Sequence, residues 1–172
     1  MRKNSSLPII AISACLTGQA VRYDGGHKYT PLLIETLSKH TTLLPVCPET
    51  AIGLSVPRNK IQLTYKNGEI RVLDTINPQI DLSDLLHDYA LQFLKQYQLS
   101  GLILQEKSPS CGIDNCKTFA DNGEIIAYSS GIFAATVMNH LPELPRCCAI
   151  DLRNHQQLSN FIKQVEDYHS NF

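Results

Sequence analysis

Three short, continuously apolar runs constrain this chain more than any other feature. Residues 7–13 (Leu-Pro-Ile-Ile-Ala-Ile-Ser), 41–46 (Thr-Thr-Leu-Leu-Pro-Val) and 101–104 (Gly-Leu-Ile-Leu) carry apolar side chains at successive positions, not alternate ones. A strand with one wet face alternates; a strand covered on both faces does not. Between the runs lie segments with helical period. Residues 31–40 open on Pro31, which suits a first helical turn. Residues 82–98 place Leu82, Leu85, Leu86, Tyr89, Phe93 and Leu94 on one stripe. A further helix opens at 129–131 and carries Ile132, Phe133, Val137 and Met138; another spans 154–167, and residues 145–150 form a fourth strand candidate. This alternation predicts an α/β fold, a doubly wound and mostly parallel sheet with helices on both faces. The length, 172 residues, suits a single domain over 1–172. One irregularity stands out. Residues 61–65 and 69–73 flank Lys66-Asn67-Gly68, which signals a small inserted hairpin. Residues 49–59 and 108–122 read as loops, and Pro45 belongs near a strand end.

The charge balance narrows the partners. Lys+Arg number 15 and Asp+Glu 16, a formal net charge of -1. General nucleic-acid binders carry a basic excess, because phosphate neutralisation drives their affinity. The expectation is a small-molecule partner, with neither nucleic acid nor membrane. The polar stretch 1–6 and the brevity of the apolar runs point to a cytoplasmic protein.

Six cysteines are many for such a chain, and in a reducing compartment they are thiols, ligands or catalysts, not staples. Cys15 lies two residues past the first run, Cys47 directly follows the second, and Cys111 sits a few residues past the third, inside Ser108-Pro109-Ser110-Cys111-Gly112. If the strands are parallel, all three thiols share the carboxyl edge of one sheet, where open α/β sheets bind ligands. No C-x-x-C pair is present, which argues against a zinc ribbon or a thioredoxin-type motif. Three converging thiols suit either a zinc site with an open position or an iron–sulfur cluster with one iron free. Cys116 is close enough in sequence to reach the same cleft. Cys147 and Cys148, adjacent in a strand, face opposite sides and read as packing residues.

Several ordered motifs then resemble one family. Ser13-Ala14-Cys15-Leu16-Thr17-Gly18, Val21-Arg22-Tyr23-Asp24-Gly25-Gly26, Cys47-Pro48-Glu49, Pro57-Arg58, Lys107-Ser108-Pro109-Ser110-Cys111-Gly112 and Gly131-Ile132-Phe133-Ala134-Ala135 are similar to segments of the thiouracil desulfurase family. The resemblance spans residues 8 to 152. It implies a Rossmann-like fold and a [4Fe-4S] cluster on Cys15, Cys47 and Cys111. It also implies non-redox conversion of thiouracil to uracil and sulfide. It maps a catalytic glutamate onto Glu49 and a catalytic serine onto Ser108, with Ser110 as second choice.

The residues themselves allow such chemistry. An open iron is a soft acceptor for a thiocarbonyl sulfur, and Glu49, beside a ligand cysteine, is the acid/base candidate. Arg22, Tyr23 and Asp24 are candidates for holding a planar pyrimidine, although Asp24-Gly25-Gly26 equally suits a tight turn. Ser108 before Pro109 equally suits turn initiation. Arg58 reads as an anion binder or a surface arginine. Two competing classes remain: a zinc- or thiol-dependent hydrolase of nucleobase-like amides, and a non-catalytic carrier of sulfur or of a cluster.

Overall fold

The computed structural model describes residues 6–172. The polar stretch read from residues 1–6 thus lies, up to Ser5, outside the described residues.

The continuous apolar runs form one parallel sheet, as their pattern predicts. Its strands are β1 (Ile9–Ser13), β2 (Thr42–Val46), β5 (Gly101–Leu104) and β8 (Arg146–Cys148), in the order β2-β1-β5-β8. Adjacent side chains of each strand point to opposite faces, and both faces are covered. On one, Ile10, Ile12 and Ile103 pack against α1 (Pro31–Leu37) and α5 (His155–His169) through Leu33, Leu37, Leu158 and Phe161. On the other, Ala11, Leu102 and Leu104 meet α3 (Ser83–Gln96) and α4 (Ile132–His140) through Ala90, Phe93, Phe133 and Val137. Each fully buried side chain of this kind stabilises the fold by roughly 1.5–3 kcal/mol. Gly101 is required by close approach: a Cβ there would stand 2.8 Å from Val165 Cγ2 on α5. Pro45 lies on β2, an edge strand, where its missing N–H leaves no ladder bond broken.

The inserted hairpin proves to be half of a second sheet. β3 (Ile61–Lys66) and β4 (Glu69–Asp74) pair antiparallel around Asn67 and Gly68, both at positive φ as such a turn requires. β3 also pairs in parallel with β6 (Cys116–Phe119), and β6 pairs antiparallel with β7 (Ile125–Ser129). The order is β4-β3-β6-β7. β6 falls inside the stretch 108–122 read as a loop, and a short helix α2 (Pro48–Ala51) falls at the start of the loop 49–59. β7 is exposed along nearly all its length, so it carries no inside/outside pattern for sequence reading to find. Among the described residues no helix is long and apolar enough to cross a membrane.

Candidate active site

Register brings the three cysteines to one level. Ser13, the last residue of β1, is paired with Val46 at the end of β2, while Ile12 is paired with Ile103 on β5. The chain leaves β1 to one side for β2 and then returns to the other side for β5. The β1/β5 boundary is therefore the topological switch point, where open α/β sheets have their ligand crevice. Cys15 sits there in a 3-10 turn, Ala14–Thr17, ended by Gly18 at φ 94°. Cys47 follows β2 at the start of α2. Cys111 follows β5 on a loop tied down by Gly112 N–H to Ser108 O (2.7 Å).

All three line one cavity of about 740 Å³, together with Glu49, Ser108, Ser110, Arg22 and Tyr23. Cys15 and Cys111 are 7% and 5% exposed. Burial pushes the Cys15 thiol up to about 11 and raises Cys111 further; the nearby Cys47 thiol adds to both shifts, and Arg22 opposes that of Cys15. The thiols thus feel one another without meeting at a point. Among the described residues no three His, Cys, Asp or Glu side chains gather closely enough for a single metal ion.

The walls are electropositive in a chain of net charge -1. Arg22, Lys28, Arg58, Lys60, Lys107 and Lys117 face the cavity, against the carboxylates of Glu49 and Glu106. An array of thiolates fits such a wall. Glu106 Oε2 is buried without a hydrogen-bond donor among the described residues.

Glu49 is held at both oxygens. Arg58 Nε donates to its Oε2 at 2.8 Å, Arg58 Nη2 lies 2.7 Å from the same oxygen in an ion pair, and Ser110 Oγ donates to its Oε1 at 2.8 Å. Both partners of the ion pair are buried, with Arg58 and Glu49 side chains 8% and 13% exposed. Arg58 Nη2 also donates to Val21 O (2.9 Å), and its backbone N–H to Tyr23 O (2.9 Å), joining the loop after Cys15 to the segment after Cys47. Arg58 is therefore an internal clamp rather than a surface arginine.

The two serines divide their work. Ser108 Oγ accepts from the backbone N–H groups of Cys111 (3.1 Å) and Ser110 (3.3 Å), which is turn chemistry. Ser110, 1% exposed, stands between Glu49 and the Cys111 sulfur, 3.7 Å from the latter. Ser108 Oγ lies 3.0 Å from Ser110 Oγ, so the two hydroxyls and Glu49 form one chain.

Tyr23 lies in the wall with Lys60 Nζ and the Arg22 guanidinium over its ring at 5.2 and 5.6 Å. Asp24 is not brought to the cavity. Its carboxylate accepts from Gly26 N–H (3.0 Å), closing the tight turn, and this bond with help from Arg22 lowers its pKa. Cys116 borders the cavity but packs among Leu63, Leu82 and Leu86, and burial alone raises its pKa. Cys147 packs beside α1 and α5, and Cys148 Sγ accepts from Asn115 Nδ2 (3.2 Å).

The start of α4 abuts the Cys111 loop. Gly131 N–H donates to Gly112 O (2.8 Å), Ile132 N–H to Pro109 O (3.1 Å) and Ala134 N–H to Ser110 O (3.2 Å). A Cβ on Gly131 would collide with the Ser110 carbonyl carbon. Gly131→Ala is expected to displace the loop and cost about 1–3 kcal/mol, the range for overpacking. Thermal melting checks the stability, and Cys111 alkylation rates check the exposure that should rise with it.

Comparison with known proteins agrees with this geometry. The chain is similar to the uncharacterized protein YbbK of Bacillus subtilis, 29% identical over 138 residues, covering 74% of this chain and 87% of YbbK. It superposes on a solved structure described as the [4Fe-4S]-dependent thiouracil desulfidase TudS, with a TM-score of 0.69 and 26% identity. That match covers 91% of this chain and 98% of the other. The profile of 2-thiouracil desulfurase matches residues 10–147, a span that runs from β1 through every cavity residue named above to β8. The strand-end thiols and the loops that carry them thus lie within the shared region, and the chain belongs to the 2-thiouracil desulfurase family.

Proposed function

We propose that this chain is a [4Fe-4S]-dependent desulfurase that hydrolyses the thiocarbonyl of a thiolated pyrimidine such as thiouracil, giving the carbonyl base and sulfide. The observation that carries the reading is one cavity that joins three strand-end thiols to the Glu49–Ser110 pair. Cys15, Cys47 and Cys111 would hold the cluster. When bound, it supplies a thiophilic iron that polarises the carbon–sulfur bond.

The remaining work falls to the chain. Arg58 fixes the Glu49 carboxylate, which takes a proton from the attacking water as it adds to the thiocarbonyl carbon. Ser110, bridging Glu49 and the Cys111 side of the cavity, carries a proton toward the departing sulfur. One water is consumed, its oxygen replaces sulfur, and no electron is transferred. Arg22 and Tyr23 on the wall orient the planar ring. The six free cysteines among the described residues suit a reducing, cytoplasmic setting.

The test is anaerobic reconstitution with iron and sulfide, followed by assay of sulfide release from thiouracil. About four irons per chain and catalytic sulfide release are expected. A colourless chain that binds zinc and stays active in air would return the hydrolase reading; a loaded but inert chain would return the carrier reading. Ser110→Ala is expected to cut turnover by about 10²-fold or more, the scale of a lost proton-transfer partner. Ser108→Ala should act mainly on stability, by about 1–3 kcal/mol for the stranded N–H groups. The reverse pattern would transfer the catalytic role to Ser108.

A further inference from the structure

A residue with a Cβ rarely takes a left-handed backbone, because the Cβ then crowds the following carbonyl. Among the described residues, Lys107 at φ 61° and Asp114 at φ 52° do so, and they bracket the Cys111 loop. The segments that carry Cys15 and Cys47 instead place glycines, Gly18 and Gly53, where they need a positive φ. A lysine in that conformation persists only where its surroundings restrain it. Lys107 has two restraints: its N–H donates to Asn115 Oδ1 at 2.6 Å, and its carbonyl accepts from Cys116 Sγ at 3.7 Å. The thiol is a weak donor, so the Asn115 amide is the stronger hold. A backbone N–H can only donate, which fixes the orientation of that amide and turns its Nδ2 to Cys148 Sγ, 3.2 Å away. The same Oδ1 also faces the far end of the loop, since a Cβ on Gly112 would stand 2.9 Å from it. One side chain thus meets both ends of the segment 107–112, which carries Ser108, Ser110 and Cys111.

We propose that Asn115 is a positioning residue for the reaction: its amide locks Lys107 in the left-handed conformation and thereby holds Cys111 and Ser110 at the cavity. The inference rests on the reading of Cys111 as a cluster ligand and of Ser110 as a proton carrier. Without the amide, Lys107 relaxes to negative φ, the chain enters the loop in another direction, and the Cys111 thiol leaves its buried place. Reacting groups are held to a fraction of an ångström by partners of this kind, themselves fixed by further hydrogen bonds. Asn115 lines the cavity, but the group it grips is backbone.

The test reads Cys111 before any cluster is loaded, and bound iron afterwards. In timed alkylation followed by mass spectrometry, Asn115→Ala should raise the Cys111 rate by about tenfold, the scale of one lost hydrogen bond. Cys15 and Cys47 should keep their rates and serve as internal references. Iron retained after anaerobic reconstitution should fall. Asn115→Asp, which keeps the acceptor, should leave both readouts near those of the unaltered chain. Adding Lys107→Gly to Asn115→Ala should bring both back toward the unaltered chain, because glycine takes a positive φ without the Cβ penalty. A merely structural Asn115 predicts a lower melting temperature, the three thiols affected alike or not at all, and no recovery on adding Lys107→Gly; that result overturns the proposal. If the unaltered chain takes up no cluster, the ligand reading of Cys111 fails. If it loads normally and Asn115→Ala leaves the Cys111 rate unchanged, the role of Asn115 alone fails.

Discussion

Cys111→Ser is expected to give a folded chain that retains almost no iron, down from about four per chain. Cys15→Ser and Cys47→Ser should behave alike, because on the proposed reading each removes one of three ligands. Cys116, which borders the cavity, is not expected to substitute, since its thiol is spent on the Lys107 carbonyl (3.7 Å) and the residue packs with Leu63, Leu82 and Leu86. The fold should survive each change, for a chain of this length buries roughly 70% of its unfolded surface and needs no metal to hold together. Iron and sulfide counts after anaerobic reconstitution, with circular dichroism alongside, check this. Unchanged iron in one variant would strike that cysteine from the ligand set.

Arg58→Ala is expected to have the second large effect, and on two quantities at once. Removing one partner of a buried ion pair leaves the other charge uncompensated, at a cost of about 3–5 kcal/mol. Arg58 and Glu49 keep 8% and 13% side-chain exposure on the cavity wall, so the cost should fall at or below the lower end of that range. Turnover should fall by about 10²-fold as well, because a misplacement near 1 Å at a reacting group costs that much. Glu49→Gln separates the two effects: the amide keeps the shape, cluster content should hold, and turnover should drop by about 10²–10⁴-fold with its proton acceptor gone. The double variant Arg58→Met/Glu49→Gln should recover stability without recovering activity. Chemical denaturation and sulfide-release assays measure the two axes; full activity in Glu49→Gln would remove the acid/base role.

The parallel sheet was legible because burial on both faces leaves a signature in sequence, the unbroken apolar run. The placement of Cys15, Cys47 and Cys111 followed from it, since each stands just past such a run. The second sheet was half legible. Its hairpin at Asn67-Gly68 announces itself through turn chemistry, but β6 is four residues long and β7 is exposed, so neither imposes a pattern. Asp24 illustrates the opposite limit, a carboxylate near the cysteines in sequence that its own turn holds away from the cavity. Arg58 was underrated because nothing local to Pro57-Arg58 distinguishes a buried guanidinium from a surface one. Beside the local Ser55 carbonyl, its acceptors are Glu49, nine residues away, and Val21, 37 residues away, which only the fold brings to it. The choice between Ser108 and Ser110 likewise turns on which hydroxyl is spent within its own loop.

The second sheet contributes no cysteine to the thiol set, yet Lys60 and Gln62 at its β3 side and Lys117, Phe119 and Tyr128 at its β6–β7 side complete the cavity wall. On the proposed reading, the second sheet adds a wall to a site whose thiols and whose Arg22 and Tyr23 come from the first layer. The strands that carry the thiols are deeply buried, while β7 of the other sheet is exposed along most of its length. Substitutions at Lys60, Gln62, Lys117, Phe119 and Tyr128 are therefore where the shape of the cavity can be altered without touching a cysteine.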